Sequence, residues 1–302
     1  MKDKVALVTG AAGTFGPFIC AALQSEGWKV AAAGRTAQSI EGRFWSGKPY
    51  PADALLGADL ADPKQCETLV KEAESSLGPL SLLVNNATAN SSALQPAGLA
   101  DVSPDYCRRV FDVDLLAAIH LAKAALPSLI SNRGQIINIG SVMVSNFGSG
   151  SFVYSAAKAA LETITKALAY ELLPQGVRVN CVRLGWVPGD KFLRPNLAAL
   201  DAKTAARLRD DVMRQHIEEI CQTLPCADGH EAAAVVSFLA SPAASFINGA
   251  ILPADGGYGA AMQRMADSAL QRQSRKSGPG VAERWTKNPA AEMAAWARKD
   301  AR

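Results

Sequence analysis

The chain has 302 residues, of which 49% are apolar and 20% charged, and its formal net charge is +3. That length suffices for one large α/β domain or two smaller ones with a sizeable core. So small a charge imbalance gives no electrostatic ground for a nucleic-acid partner or a membrane surface, and no apolar run approaches a membrane span.

The stretch from Met1 to Thr9 lacks the longer apolar segment of a secretory signal. Six cysteines, at 20, 66, 107, 181, 221 and 226, are scattered without Cys-x-x-Cys spacing. Cys20 and Cys181 fall inside apolar patterns, where a thiol behaves as a small hydrophobe. A reduced, cytoplasmic protein is expected. No metal is expected either, since no ligand set surrounds Cys221 and Cys226, and His120, His216 and His230 have no metal-type partner at useful spacing. His120 reads as a core or interface residue.

Lys4–Thr9 is a short β-forming apolar run, the signature of a buried parallel strand. It opens into Thr9-Gly10-Ala11-Ala12-Gly13-Thr14-Phe15-Gly16-Pro17 and a helical pattern. Glycines there let the backbone turn tightly and approach a pyrophosphate, whose charge would sit on the helix amino terminus. A second strand over Lys29–Ala33 ends in Gly34-Arg35-Thr36, with no acid for a ribose and an arginine able to clamp a 2′-phosphate. NADP(H) is therefore favoured over NAD(H), which stays the alternative. Residues 37–53 read as a loop or broken helix. Ala54–Leu60 is a third strand ending in Asp59-Leu60, a candidate adenine contact.

A helix over Pro63–Leu77 stops at Gly78-Pro79, and a strand over Leu80–Val84 opens into Asn85-Asn86-Ala87. Ser103-Pro104 caps a long helical stretch to about residue 131, and Gln135–Gly140 is a fifth strand that delivers Ser141. A helix follows over Ser151–Leu173, then a strand over Val177–Val182 and an insert to about Ala227. A helix over His230–Leu239 and a last strand at Ala250–Leu252 lead to Asp255-Gly256-Gly257. Strand and helix alternate, which predicts an α/β fold: a doubly wound, Rossmann-like parallel sheet in three layers. The expected division is a catalytic domain over 1–258 with a substrate loop at about 186–226, and an extension over 259–302. That extension holds nine Lys/Arg against four Asp/Glu.

Tyr154 and Lys158 are four apart, so on a helix their side chains share one face. Tyr-x-x-x-Lys also describes many solvated pairs, and its surroundings make the case. An ammonium beside a phenol favours the phenolate, and lowering a tyrosine from ~10 to ~7 takes roughly 4 kcal/mol. Ser141 can donate to the same substrate oxygen. The trio predicts a site that moves a proton on and off an alcohol or ketone.

In this order and spacing, the Thr9–Gly16 turn, Asn85-Asn86-Ala87, Ser141, Tyr154-Ser-Ala-Ala-Lys158, Arg178-Val-Asn180 and Asp255-Gly-Gly257 resemble the short-chain dehydrogenase/reductase family, in its shorter single-domain branch. The resemblance covers about residues 3–258. It implies Tyr154 as acid/base, Ser141 as holder of the substrate oxygen, and Lys158 on the nicotinamide ribose while tuning the tyrosine. It further implies Asn86 and Ala87 along the adenosine, Gly185 to Val187 along the nicotinamide, and a homotetramer or homodimer built on the 103–130 and 151–173 helices. Substrate contacts are expected from Met143, Phe147, Phe152 and Trp186, around a small carbonyl or alcohol.

The chain departs from the family pattern at several places, among them a usual threonine that is absent with Gly189 about there. Thr14 replaces the middle glycine of the turn, Leu184-Gly185 replaces Pro-Gly, and Asp114 replaces an asparagine that supports an ordered water beside the lysine. The branch that reduces enoyl thioesters has six residues between its tyrosine and lysine, and Ser151 stands at that place here. The departures motivate a rival reading, a nucleotide-binding regulator or scaffold of the same fold.

Overall fold

The computed structural model describes residues 4–41, 49–89, 98–145, 151–185 and 229–259. Seven parallel strands run β1 (Val5–Thr9), β2 (Lys29–Gly34), β3 (Ala54–Gly57), β4 (Leu82–Asn85), β5 (Gln135–Ser141), β6 (Arg178–Leu184) and β7 (Ile251–Ala254). Their order in the sheet is β3-β2-β1-β4-β5-β6-β7. The chain winds outward from β1 to β3, returns, and winds outward again from β4. Its direction therefore reverses between β1 and β4, the place where such sheets open a crevice at their carboxyl ends.

The strands are buried on both sides, which is why they read as unbroken apolar runs rather than alternating ones. On one face Ala6, Val8, Val30 and Val182 meet Ile19 and Leu23 of α1 (Gly16–Ser25), together with Val236 and Leu239 of a later helix (Gly229–Ala240). On the other face Val5, Leu7 and Leu83 meet Leu69 of α3 (Pro63–Leu77) and Leu121 and Leu129 of α5 (Ala117–Asn132). Three layers result, as expected. Between β2 and β3 the chain forms only the short α2 (Gln38–Glu41) before residues that are not described.

Local chemistry sets the helix ends. The Asp62 carboxylate accepts from the Lys64 amide at 2.9 Å ahead of Pro63, and the Ser103 hydroxyl accepts from the Tyr106 amide at 3.1 Å ahead of α4 (Pro104–Phe111). The long helical stretch is not uniform: a π-turn over Asp112–Leu116 joins α4 to α5. The resulting Pro104–Asn132 rod is long and apolar enough to cross a membrane by length and composition, which the residue pattern did not suggest. Ala117, Leu121, Ala125 and Leu129 instead pack it against α3 and the sheet. His120 on this rod is half-buried beside Glu67, Lys71 and Glu74, and is no core residue.

Several boundaries differ from expectation, three of them near the site. β3 ends at Gly57, so Asp59-Leu60 follow the strand. β4 is shifted to Leu82–Asn85, and β6 continues to Leu184 because its last residues pair with β7.

Candidate active site

The turn after β1 is held from below by the end of β4. The Thr9 hydroxyl donates to the Val84 carbonyl at 3.3 Å and accepts from the amides of Asn86 and Ala87 at 3.0 and 3.1 Å. The Asn86 side chain donates to the carbonyls of Thr9 and Gly10 at 2.9 and 3.2 Å. Gly10 has a φ of +65°, and a Cβ there would lie 2.7 Å from the Ala87 Cα, so only glycine fits. A Cβ on Gly16 would lie 2.6 Å from the Ala11 carbonyl oxygen, and the Gly13 amide donates to the Gly10 carbonyl at 2.8 Å.

α1 begins behind this turn with Phe15 at its cap position and no capping side chain, Thr14 included. The first-turn amides of a helix have no intrahelical acceptors, and they carry the positive end of its dipole. The positive end of this helix, with a turn that brings backbone close, suits a diphosphate.

On the far side of the crevice β5 delivers Ser141, which is buried. Its hydroxyl accepts from the Met143 amide at 3.2 Å and hydrogen-bonds the Tyr154 phenol. Tyr154 and Lys158 lie one turn apart on α6 (Phe152–Glu171), with the ammonium 5.6 Å from the phenol ring centre. Lys158 is 3% exposed and donates to the Ile139 carbonyl at 3.0 Å. The Asp114 carboxylate, on the π-turn, lies 3.4 Å from the same ammonium and accepts from the Ala89 amide at 2.8 Å. Ser141, Tyr154, Lys158 and Asp114 thus converge beside the glycine turn.

A family model described as enoyl-(acyl carrier protein) reductase matches residues 10–259. The chain belongs to the short-chain dehydrogenase/reductase family. Among its relatives, a meso-2,3-butanediol dehydrogenase of Serratia marcescens is 29% identical over 84% of this chain and 94% of its own. A metagenomic blue fluorescent protein solved in complex with NADPH is 29% identical, with a TM-score of 0.66 over 84% and 97% of the two chains. A 3-ketoacyl-(acyl-carrier-protein) reductase of Brucella melitensis, complexed with NADH, is 25% identical, with a TM-score of 0.71 over 85% and 98%.

One expectation about this short-chain dehydrogenase/reductase is overturned. The tyrosine was to be pulled down towards neutrality, but its pKa is raised above the ordinary value of 10. Desolvation is the largest cause, and the Asp114 carboxylate adds to it, against the lowering effects of Lys158 and the Ser141 hydrogen bond. Burial likewise works against the Lys158 ammonium, yet the charges of Asp114 and Tyr154 outweigh it and raise the lysine's value.

At the other end of the crevice Arg35 and Thr36 are exposed beyond β2. Asp59 is held by Arg109 of α4, whose Nη1 lies 2.8 Å from one carboxylate oxygen and 3.0 Å from the other, and Leu60 beside it is buried. The Gly185 amide donates to the Ala254 carbonyl at 2.9 Å, and a Cβ on Gly185 would come within 2.5 Å of the Asp255 Cα. Met143 is half-buried and Phe152 is 40% exposed. Phe147, Trp186, Val187, the 186–226 insert and the 259–302 extension past Gly259 lie outside the described residues.

Two participants were missed by sequence reasoning. Arg109 sits fifty residues from Asp59, and nothing local announces the pair. Tyr50 is buried, and its hydroxyl donates to the Ala11 carbonyl at 2.7 Å from behind the phosphate turn. An aromatic in a stretch rich in glycine and proline was its single local signal.

Proposed function

We propose that the protein is an NADP(H)-dependent carbonyl reductase or alcohol dehydrogenase acting on a ketone or secondary alcohol. The observation that carries this reading is the convergence of Ser141, Tyr154 and Lys158 beside a glycine turn at the reversal point of the sheet. The diphosphate suits Gly10, Gly13, Thr14, Phe15 and Gly16, with Asn86 and Ala87 behind them. Asp59 and Leu60 flank the adenosine, and Lys158 and Gly185 the nicotinamide end. When bound, the nicotinamide supplies or accepts the hydride. Tyr154 gives its phenolic proton to the substrate oxygen as negative charge develops there, and Ser141 donates a hydrogen bond to the same oxygen. Lys158 holds the ribose end and Asp114 holds Lys158. Met143 and Phe152 supply an apolar wall for the carbonyl's substituents.

The preference for NADP(H) rests on an exposed arginine, and no carboxylate, at residues 33–36. The fold neighbours solved with NADPH and with NADH support a nicotinamide cofactor of either kind. A homotetramer or homodimer is supported by Leu116, Ile119 and Phe152, apolar residues exposed on α5 and α6 and the turn before α5. The catalytic domain is assigned to residues 1–258. The rival reading, a nucleotide-binding regulator that has lost turnover, draws on Asp114 offsetting the lysine's charge.

The test is fluorescence titration of NADPH beside NADH on wild type and Arg35→Ala, followed by a carbonyl screen with Tyr154→Phe as the inactive control. Tight NADPH binding that weakens selectively in Arg35→Ala is expected. Equal binding of both nucleotides, untouched by the substitution, would sink the phosphate-clamp reading. Binding without turnover of any carbonyl would favour the regulator.

A further inference from the structure

Asp114 is the buried acid of the site. Its side chain is 0% exposed, and its two oxygens face two different elements, the Ala89 amide after β4 and the Lys158 ammonium of α6. The Lys158 ammonium is in turn fixed by the Ile139 carbonyl of β5. A cavity of about 10 Å³ adjoins the pair, bordered by Thr9 and Asn85 and otherwise by apolar side chains such as Val113, Leu121 and Leu161. That is room for about one water and no more. Both side chains are almost wholly enclosed, so bulk solvent does little to screen the two charges, and the carboxylate offsets part of the charge that the ammonium presents to a third group.

That third group is Tyr154. The groups that act on it are Lys158 from its own helix, Asp114 from the π-turn and the Ser141 hydroxyl from β5. Tyr106 of α4, whose buried hydroxyl has no hydrogen-bond partner, feels Asp114, and Cys181 of β6 feels Lys158. Both are neutral at ordinary pH, so beside burial, which is the largest cause of the raised value, the charges that act on Tyr154 are those of the Asp114–Lys158 pair.

We propose that Asp114 is a positioning residue that cancels the charge of Lys158 and keeps Tyr154 a phenol, so that the site is built to deliver a proton to a carbonyl rather than to take one from an alcohol. This rests on Tyr154 being the acid/base and adds the direction in which it works. Reduction uses the phenol as proton donor. Oxidation uses the phenolate as proton acceptor, and rising pH favours it. An asparagine at 114 would still accept from Ala89 but would leave the ammonium uncancelled. The raised pKa of Tyr154 agrees in direction.

The test needs neither a substrate nor turnover, so it is separable from the functional reading. The phenolate absorbance of the purified full-length protein is titrated with pH, and the Tyr154→Phe curve is subtracted to isolate this residue among the five tyrosines. The same pair is made on Asp114→Asn. The expected result is a wild-type Tyr154 that ionises above the ordinary ~10, and a midpoint about one pH unit or more lower in Asp114→Asn. A wild-type midpoint near neutrality, or one that Asp114→Asn leaves in place, would overturn the proposal. Should Asp114→Asn fail to fold, Asp114→Ser is titrated in its place, with the same expected lowering and the same overturning result.

Discussion

The Tyr50 hydroxyl donates to the Ala11 carbonyl at 2.7 Å, so a residue between β2 and β3 braces the turn in front of α1. The same hydroxyl lies 3.7 Å from the Cys20 sulfur, on the inner face of that helix. Removing it in Tyr50→Phe keeps the ring and strands a buried carbonyl. The expected loss is about 1–3 kcal/mol of stability by urea denaturation. Nucleotide affinity should fall severalfold, because the Ala11 carbonyl oxygen sits 2.6 Å from where a Cβ of Gly16 would be, at the first residue of the helix. A variant with unchanged affinity would mean the turn holds its shape without the tyrosine.

Gly10 and Gly27 allow the conformational and steric requirements of the turn to be separated. Both have positive φ, +65° and +77°, so alanine is strained at either. At Gly27 a new Cβ meets nothing within 4 Å, whereas at Gly10 it would be 2.7 Å from the Ala87 backbone. Gly27→Ala should cost about 1–2 kcal/mol and leave nucleotide binding intact. Gly10→Ala should cost more and lose binding at least tenfold, since β1 and the Asn86-Ala87 segment must move apart. Equal effects at the two positions would show that strain alone matters.

Much of this was legible because local chemistry carried it. The Ser103 cap, the glycine turn and the spacing of Tyr154 to Lys158 each act within a few residues. What was not legible acts across the fold. The Asp59–Arg109 pair, the Tyr50 brace and the extension of β6 along β7 join elements that sequence leaves far apart. The π-turn is invisible to a helical pattern that runs through it, because it is fixed by Asp114 reaching Ala89 and Lys158. The wrong sign for Tyr154 has the same origin. Periodicity places the lysine under the phenol, but the acid that offsets it arrives from a different helix.

Three buried thiols make stability fall in alkali. Burial pushes Cys20 and Cys181 up to about 12 and Cys66 to about 11, from an ordinary value of 9.0. A folded-state value above the unfolded one gives stability that is fully present below about pH 9 and is lost as pH rises towards the folded values. Each thiol then contributes a slope of up to about 1.4 kcal/mol per pH unit. Between pH 9 and 10 the unfolded tyrosines are at least half protonated whereas the unfolded thiols are mostly ionised, so the thiols lead in that window. Urea midpoints should hold from pH 7 to 8.5 and drop by pH 10. The drop should be shallower in Cys20→Ala/Cys181→Ala, even though that variant starts less stable. An equally steep drop would place the alkaline sensitivity elsewhere.

Lys158 serves the fold as well as the proposed chemistry, and the two roles come apart in a double-mutant cycle. Lys158→Met removes the ammonium but leaves the Asp114 carboxylate wholly enclosed, with one oxygen still on the Ala89 amide and the other facing no cation. Breaking one side of a buried pair costs about 3–5 kcal/mol, and protonation of the acid caps that loss. Asp114→Asn/Lys158→Met removes both charges and keeps the side chain that accepts from Ala89. It should recover most of the stability, giving a coupling of about 2 kcal/mol or more in urea denaturation. Turnover should stay lost in both, because the proposed ribose anchor and the cation beside Tyr154 are gone, and Tyr154→Phe should lose about 10²–10⁴-fold while remaining folded. Additive losses in the cycle would mean that the 3.4 Å contact between Asp114 and Lys158 is not energetically coupled, and the charge cancellation at Tyr154 would lose its basis.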